Sequence, residues 1–241
     1  MADEIDIQTV ARTYARWAPV YDLVFGAVFA AGRKASIAAA GRVGGRILDV
    51  GIGTGISLDG YSSRNRVIGV DYSEPMLRRA QQRVRRNRLT HVDGLAVMDA
   101  SRLAFPHAFF DAVVAQYVVT ALPDPETALD EFLRVTKIGG EIILINHLGA
   151  DRGLRRGFEQ VFAPVARRLG WRPEFPWRRL SEWAASRAGV QLVERRPMPP
   201  LGHFSLIRFE RTAGNPDGGQ VVRRAHRVAA GQPPQLSSSR Q

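Results

Sequence analysis

From residue 46 onward, short apolar runs alternate with stretches whose apolar residues recur every three or four positions. The first kind suits strands buried on both faces, and the second suits helices packed by one face on a sheet. Strands are predicted at 46–50, 66–70, 94–98, 110–116 and 141–146. Helices are predicted over 76–88 and 124–135. Ser73 stands as N-cap of the first, with Pro75 near its first turn. Gly139-Gly140 stops the second. Such alternation implies right-handed crossovers and a doubly wound, mostly parallel sheet. The last two strands, 190–194 and 203–211, are separated by Pro197-Met198-Pro199-Pro200 and no helix. They should pair as an antiparallel hairpin, which completes a seven-stranded α/β sheet.

Other segments frame this pattern. Tyr14, Trp17, Val20, Tyr21, Val24, Phe25 and Val28 follow helical spacing, so 7–40 reads as one or two helices broken near Pro19. Residues 1–45 are expected to form a helical lid or membrane-contact segment, and 151–188 a helical insertion. Residues 213–241 hold Gly, Pro, Gln, Ser and Arg with little apolar content, and are expected to be a disordered tail. One folded domain over 1–212 is the resulting organisation.

Composition narrows the chemistry. A chain of 241 residues with 45% hydrophobic content can bury one full-sized core. It has no cysteine, which excludes disulfides, thiolate metal sites and a cysteine nucleophile. Apart from His147, the histidines His91, His107, His203 and His226 are scattered, so no metal cluster is readable. Net charge is +11, from 34 basic and 23 acidic residues, which favours nucleic acid, acidic lipid headgroups or an anionic substrate. The preference for Arg over Lys also fits the codon usage of a high-GC genome. No nucleic-acid module or aromatic platform accompanies the basic runs, so nucleic acid is an unlikely partner. The acidic start Met1-Ala2-Asp3-Glu4 is no secretory pattern. No apolar run approaches the roughly 20 residues that cross a bilayer. A cytoplasmic protein is expected.

The candidate chemistry begins at Asp49-Val50-Gly51-Ile52-Gly53-Thr54-Gly55. A glycine-rich turn after a strand lets backbone approach a ligand, and a helix following it would offer N–H groups to an anionic group. A dinucleotide fingerprint wants its third glycine at 56, where this chain has Ile. Asp71 ends the second strand, where a carboxylate can accept two ribose hydroxyls. The third strand ends Met98-Asp99-Ala100-Ser101, and the fourth ends Gln116-Tyr117. Four such elements at consecutive strand ends, with the terminal hairpin, resemble the Rossmann-like class I methyltransferases. That resemblance implies S-adenosylmethionine as cofactor and S-adenosylhomocysteine as product. Asp49 would take the ammonium, Asp71 the ribose and Asp99 the adenine amino group. Tyr72, Ser73, Met76, Ala100 and Ser101 would flank ribose and adenine. Gly51, Gly53, Thr54 and Gly55 would form the loop, and Gln116, Tyr14 and Tyr21 would close over the methionine part.

A more specific resemblance is carried by Tyr14-Ala15-Arg16-Trp17-Ala18-Pro19-Val20-Tyr21-Asp22, the loop Asp49 to Ser57, Leu122-Pro123-Asp124-Pro125-Glu126, Phe132-Leu133-Arg134-Val135, the run from Gly139 to His147, and Gly202-His203-Phe204. Over roughly residues 10–211 the chain is similar to bacterial phosphatidylethanolamine N-methyltransferases. Ubiquinone and menaquinone C-methyltransferases share the opening tyrosines, the loop and Asp71, so Asn146-His147 and Gly202-His203-Phe204 carry the distinction. The resemblance implies successive methylation of a phospholipid amine toward phosphatidylcholine. His147 is a candidate proton acceptor or phosphate contact, or else makes a structural hydrogen bond at a strand end. Tyr14, Tyr21 and Tyr117 are candidates to cage the amine. Asn146 is a candidate for the lipid headgroup, and Arg178, Arg179 and Lys34 are candidates for its phosphate. Leu154, Phe158, Val161, Phe162, Val165 and Leu169 recur at helical spacing beside Arg155, Arg156, Arg167, Arg168 and Arg172. Such a helix suits either an anionic membrane surface, here the inner face, or a lid packed on the domain. The basic residues of 76–88 read as a solvated outer face. Oligomeric state is not legible.

Overall fold

The computed structural model describes residues 29–148, 175–199 and 202–214. The helices expected before residue 29, the amphipathic stretch 154–169 and the tail from 215 lie outside the described residues, as do Tyr14 and Tyr21. Helix α1 (Ala30–Val43) leads into β1 (Arg46–Val50), β2 (Arg66–Asp71), α2 (Glu74–Asn87), β3 (Val92–Val97) and β4 (Phe110–Gln116). Then come α3 (Pro125–Val135), β5 (Thr136–His147), α4 (Trp177–Ala185), β6 (Val190–Met198) and β7 (Phe204–Arg211).

The strands form one sheet in the order β3-β2-β1-β4-β5-β7-β6. The first five run parallel, and β7 lies antiparallel between β5 and β6. The expected hairpin is therefore present. Ile47, Leu48, Val113, Val114, Ile143 and Leu144 are fully buried, because helices cover both faces of the parallel part. On one face, Ala39 and Ala40 of α1 join Leu77 and Ala80 of α2 in a core with Ile145 and Leu206. On the other, Leu129 and Phe132 of α3 join Leu180 and Trp183 of α4 over Phe110 and Phe209.

Four local readings change. β5 starts at Thr136 instead of 141, because Thr136 pairs with Phe110 before the register shifts to Ala112 opposite Glu141. Gly139-Gly140 lies within that irregular entry, and a Cβ on Gly140 would meet the Asp111 carbonyl at 2.6 Å. β6 passes through Pro197 to Met198 instead of stopping at Glu194. As the edge strand it tolerates the missing N–H. The helix expected straight after the glycine loop is a single 3-10 turn, Leu58–Gly60. Ser73 occupies the N-cap position of α2, but its side chain makes no cap bond.

The order reverses between β1 and β4, so the crevice beyond their carboxyl ends is where such a sheet takes ligands. Every candidate from the glycine loop to His147 lies on that edge.

Candidate cofactor and acceptor site

The loop after β1 is held by backbone contacts. Gly51 and Ile52 donate to the Val70 carbonyl at 2.7 and 3.2 Å, which ties the loop to the end of β2. Gly53 has φ +55°, and a Cβ there would meet nothing within 4 Å, so its backbone faces open space. Gly55 has φ +74°, and a Cβ there would stand 3.0 Å from the Ala80 Cβ on α2. The first glycine opens the crevice; the second lets α2 pack closely beneath it.

Two carboxylates organise this loop. Asp71 accepts from the Gly53 N–H through Oδ2 and from the Ser73 N–H through Oδ1, both at 2.8 Å. Each oxygen keeps a lone pair for a further donor. Burial raises its pKa above the usual carboxylate value, and the Ser73, Gly53 and Tyr72 N–H groups oppose that. Asp49 is buried in β1 and accepts from Ser57 Oγ at 2.7 Å and Tyr61 Oη at 3.0 Å. Burial pushes its carboxyl from 3.8 up to about 6, against those two bonds and with repulsion from Asp71.

Beyond β3, Asp99 accepts from the Ser101 N–H at 2.8 Å, which fixes one oxygen and orients the other. Ala100 and Met76 are buried, whereas Tyr72 at 43% exposure lies at the rim. Gln116 Nε2 donates to Ser36 Oγ at 3.0 Å, and Ser36 Oγ donates to the Arg33 carbonyl at 2.9 Å. Gln116 thus joins β4 to α1.

The end of β4 turns sharply. Tyr117 has φ +63°, a left-handed backbone that costs a non-glycine residue about 1 kcal/mol. Its N–H donates to the Ile145 carbonyl at 2.6 Å, and its hydroxyl to the Phe29 carbonyl at 3.1 Å. Its ring stacks on Phe29 at 4.2 Å and meets Phe204 edge-on at 5.3 Å. Burial raises its phenol pKa well above 10. The ring of His147, at the end of β5, lies nearly parallel to that of His203 at 6.1 Å and edge-on to Phe204 at 6.2 Å. Asn146 is fully buried, and its Oδ1 is 3.5 Å from Thr120 Oγ1. Its Nδ2 has no hydrogen-bond partner among the described residues.

The structure therefore gathers Asp49, Gly51, Gly53, Thr54, Gly55, Asp71, Ser73, Met76, Asp99, Gln116, Tyr117, Asn146 and His147 along one sheet edge. Arg179 is different. Its guanidinium makes a two-pronged pair with Glu126, in which the Nη2–Oε2 bond is 2.6 Å. A phosphate would have to share or displace that carboxylate. Four contributors escape sequence reading. Ser57 closes the loop run with no role legible there, Tyr61 carries no motif, and Thr120 sits in a short 3-10 turn, Val119–Ala121. Arg83, taken as part of a solvated face, donates to the Thr54 carbonyl at 3.3 Å and to Asp59 at 2.9 Å. Its signal was spacing: it follows Met76 and Ala80 on the inward side of α2.

Known proteins match this geometry. A family model described as a methyltransferase domain covers residues 48–144. A phosphatidylethanolamine N-methyltransferase from Cereibacter sphaeroides is 39% identical over 207 residues, 86% of this chain and 100% of that protein. A demethylmenaquinone methyltransferase from Thermobifida fusca (strain YX) is 34% identical over 154 residues, 60% of this chain and 58% of that protein. Among solved structures, a SAM-dependent methyltransferase and possible histamine N-methyltransferase from Thermotoga maritima has a TM-score of 0.60 at 24% identity, covering 83% of this chain and 99% of that one. The fold, the loop on β1 and the length of the first match agree: the chain belongs to the family of the phosphatidylethanolamine N-methyltransferases and is an S-adenosylmethionine-dependent class I methyltransferase.

Proposed function

We propose that the protein methylates the amine of phosphatidylethanolamine, and of its mono- and dimethyl derivatives, toward phosphatidylcholine at the inner membrane face. The observation that carries this reading is the match to the Cereibacter sphaeroides protein over that relative's whole length. The menaquinone-type relative matches over 58% of its own length.

The residues present fit the cofactor. The backbone of Gly53, at positive φ, faces open space beside the loop, and three carboxylates line the strand ends in order. Asp49 would hold the ammonium, Asp71 the ribose hydroxyls and Asp99 the adenine amino group, with Met76 as an apolar wall. When bound, S-adenosylmethionine supplies a methyl group already activated on a sulfonium, so the protein's task is alignment and exclusion of water.

The chain's own residues divide the remaining work. Phe29, Tyr117 and Phe204 form an apolar aromatic wall beside His147. An ammonium has no lone pair, so the amine must lose a proton before it is methylated. His147, beside His203, takes that proton. Asn146 donates from its buried Nδ2 to an oxygen of the headgroup, because a buried donor left unbonded costs about 1–3 kcal/mol. The basic sequence between 154 and 172 supports attachment to anionic lipid, each such residue near the surface contributing about 1 kcal/mol. Among the described residues no helix is long and apolar enough to cross a membrane.

The test is incubation with methyl-labelled cofactor and phosphatidylethanolamine vesicles, with demethylmenaquinone in a parallel reaction. Label is expected in the mono-, di- and trimethylated lipids. Methylation of the quinone with an unlabelled lipid fraction would replace this reading with a quinone C-methyltransferase. Co-sedimentation with vesicles should weaken as salt rises; binding indifferent to both salt and anionic lipid would remove the membrane part.

A further inference from the structure

We infer that Ser57 and Tyr61 are positioning residues for cofactor binding, holding the Asp49 carboxylate ionised and turned toward the cofactor's ammonium. The inference rests on the reading of Asp49 as the ammonium's partner, and it assigns a role to two residues that lie beyond the glycines of the loop.

Asp49 is 1% exposed, in the middle of the sheet. Such a carboxylate ordinarily either pairs with a cation or takes up a proton. Among the described residues no Lys, Arg or His makes an ion pair with it. The groups that face it are Ser57 and Tyr61 from the segment after the loop, and the like-charged Asp71 from the end of β2. Both hydroxyls donate to the same oxygen, Oδ2, at 2.7 and 3.0 Å. Oδ1 receives no hydrogen bond from the described residues, so one edge of the carboxylate is fixed and the other is left for a ligand.

The chemistry of the two donors suits that division. Charge-assisted O–H bonds to a carboxylate favour its ionised form. Tyr61 is fully buried, and burial with the neighbouring Asp49 raises its own pKa well above 10, so it remains a donor. The 3-10 turn Leu58–Gly60 carries the chain from Ser57 to Tyr61, which returns both hydroxyls to one atom. That turn stands where a longer helix was expected. A positive ligand group would complete the arrangement.

The experiment is calorimetric titration of S-adenosylhomocysteine into wild type, Tyr61→Phe, Ser57→Ala and Asp49→Asn, between about pH 5 and pH 8. Melting curves record that each variant is folded. Wild-type affinity should fall by about tenfold per pH unit once Asp49 protonates. In Tyr61→Phe and in Ser57→Ala the midpoint of that fall should move up by about one pH unit, while affinity at the alkaline end stays within about threefold of wild type. Asp49→Asn should lose at least about tenfold in affinity and show no such fall. Wild-type midpoints in both hydroxyl variants, with binding lost in Asp49→Asn, would overturn the positioning role and leave Asp49 as the ammonium partner. Wild-type affinity in Asp49→Asn would overturn both.

Discussion

Gly32 on α1 lies against the hydroxyl of Tyr117 at the end of β4. A Cβ on Gly32 would approach that oxygen closer than 3.0 Å and would stand 3.0 Å from Ile145 Cγ2. The same hydroxyl donates to the Phe29 carbonyl, one residue before α1 begins. Tyr117 therefore fastens the acceptor edge of the sheet to the N-terminal helix, and only a glycine leaves it room. Gly32→Ala is expected to cost about 2 kcal/mol through overpacking. Tyr117→Phe alone should cost about 1 kcal/mol, by removing one hydrogen bond from the Phe29 carbonyl, which keeps the Arg33 N–H as its other donor. In the double variant the oxygen that clashes is gone, so the combined loss in urea unfolding should be smaller than the sum. Strict additivity would show that the two residues do not meet.

Asp71 has a structural and a proposed ligand role. Its two oxygens hold the Gly53 and Ser73 N–H groups while spare lone pairs face the crevice. Asp71→Ala should lower S-adenosylhomocysteine affinity by at least about tenfold, since two hydroxyl contacts to a charged acceptor are lost. It should also raise hydrogen exchange at the Gly53 and Ser73 amides, which lose their acceptor. Unchanged calorimetric affinity would contradict the ribose assignment.

Sequence alone located what depends on local pattern. The apolar runs Arg46–Val50 and Phe110–Gln116 match β1 and β4 end to end, because central parallel strands are buried on both faces and their composition says so. Thr136 was missed as the start of β5, since its pairing with Phe110 is a tertiary fact that the glycines at 139 and 140 disguise. The Asp49-to-Gly55 loop and Asp71 were legible from residue type at a strand end. Ser57 and Tyr61 were not, because what matters is that both hydroxyls converge on Asp49 Oδ2, and spacing does not encode convergence. Arg179 read as a free cation, and only the fold brings Glu126, 53 positions away, against it.

Arg208 on β7 joins three strands. It bonds both oxygens of Glu141 on β5, at 2.6 and 2.8 Å, and Glu194 on β6 at 2.9 Å. Its side chain is 15% exposed and that of Glu141 13%. Arg208→Ala would leave two carboxylates facing each other with little water, at a cost of about 3 kcal/mol. The hydrogen bond from Arg208 holds the Glu194 carboxyl below its usual value. A lowered folded pKa stabilises above the unfolded value, and that contribution is lost as pH falls through the folded value. The deficit of the variant, read from unfolding midpoints, should therefore be full at neutral pH and shrink in acid. A deficit that is constant with pH would assign the effect to packing.

The buried Asp49 has the opposite sign. Burial places its folded pKa at about 6 against an ordinary 3.8, so between those values the folded state binds more protons than the unfolded one. Stability from this group therefore falls as pH rises across that window, and above it the ionised carboxylate costs the cofactor-free protein about 3 kcal/mol. The carboxylates with lowered values, Asp111, Asp130 and Glu131 among them, pull the other way, so the measurement must be a difference between proteins. Asp49→Asn removes the titration and keeps an oxygen for Ser57 and Tyr61. Without ligand, the variant and wild type should unfold alike near pH 4, and the variant should be the more stable by up to about 3 kcal/mol near neutral pH. Saturating S-adenosylhomocysteine should narrow or reverse that gap, because the ligand stabilises only the protein that binds it. A ligand-free variant that is less stable than wild type at neutral pH would mean that the carboxylate supports the fold rather than being held there for a cation.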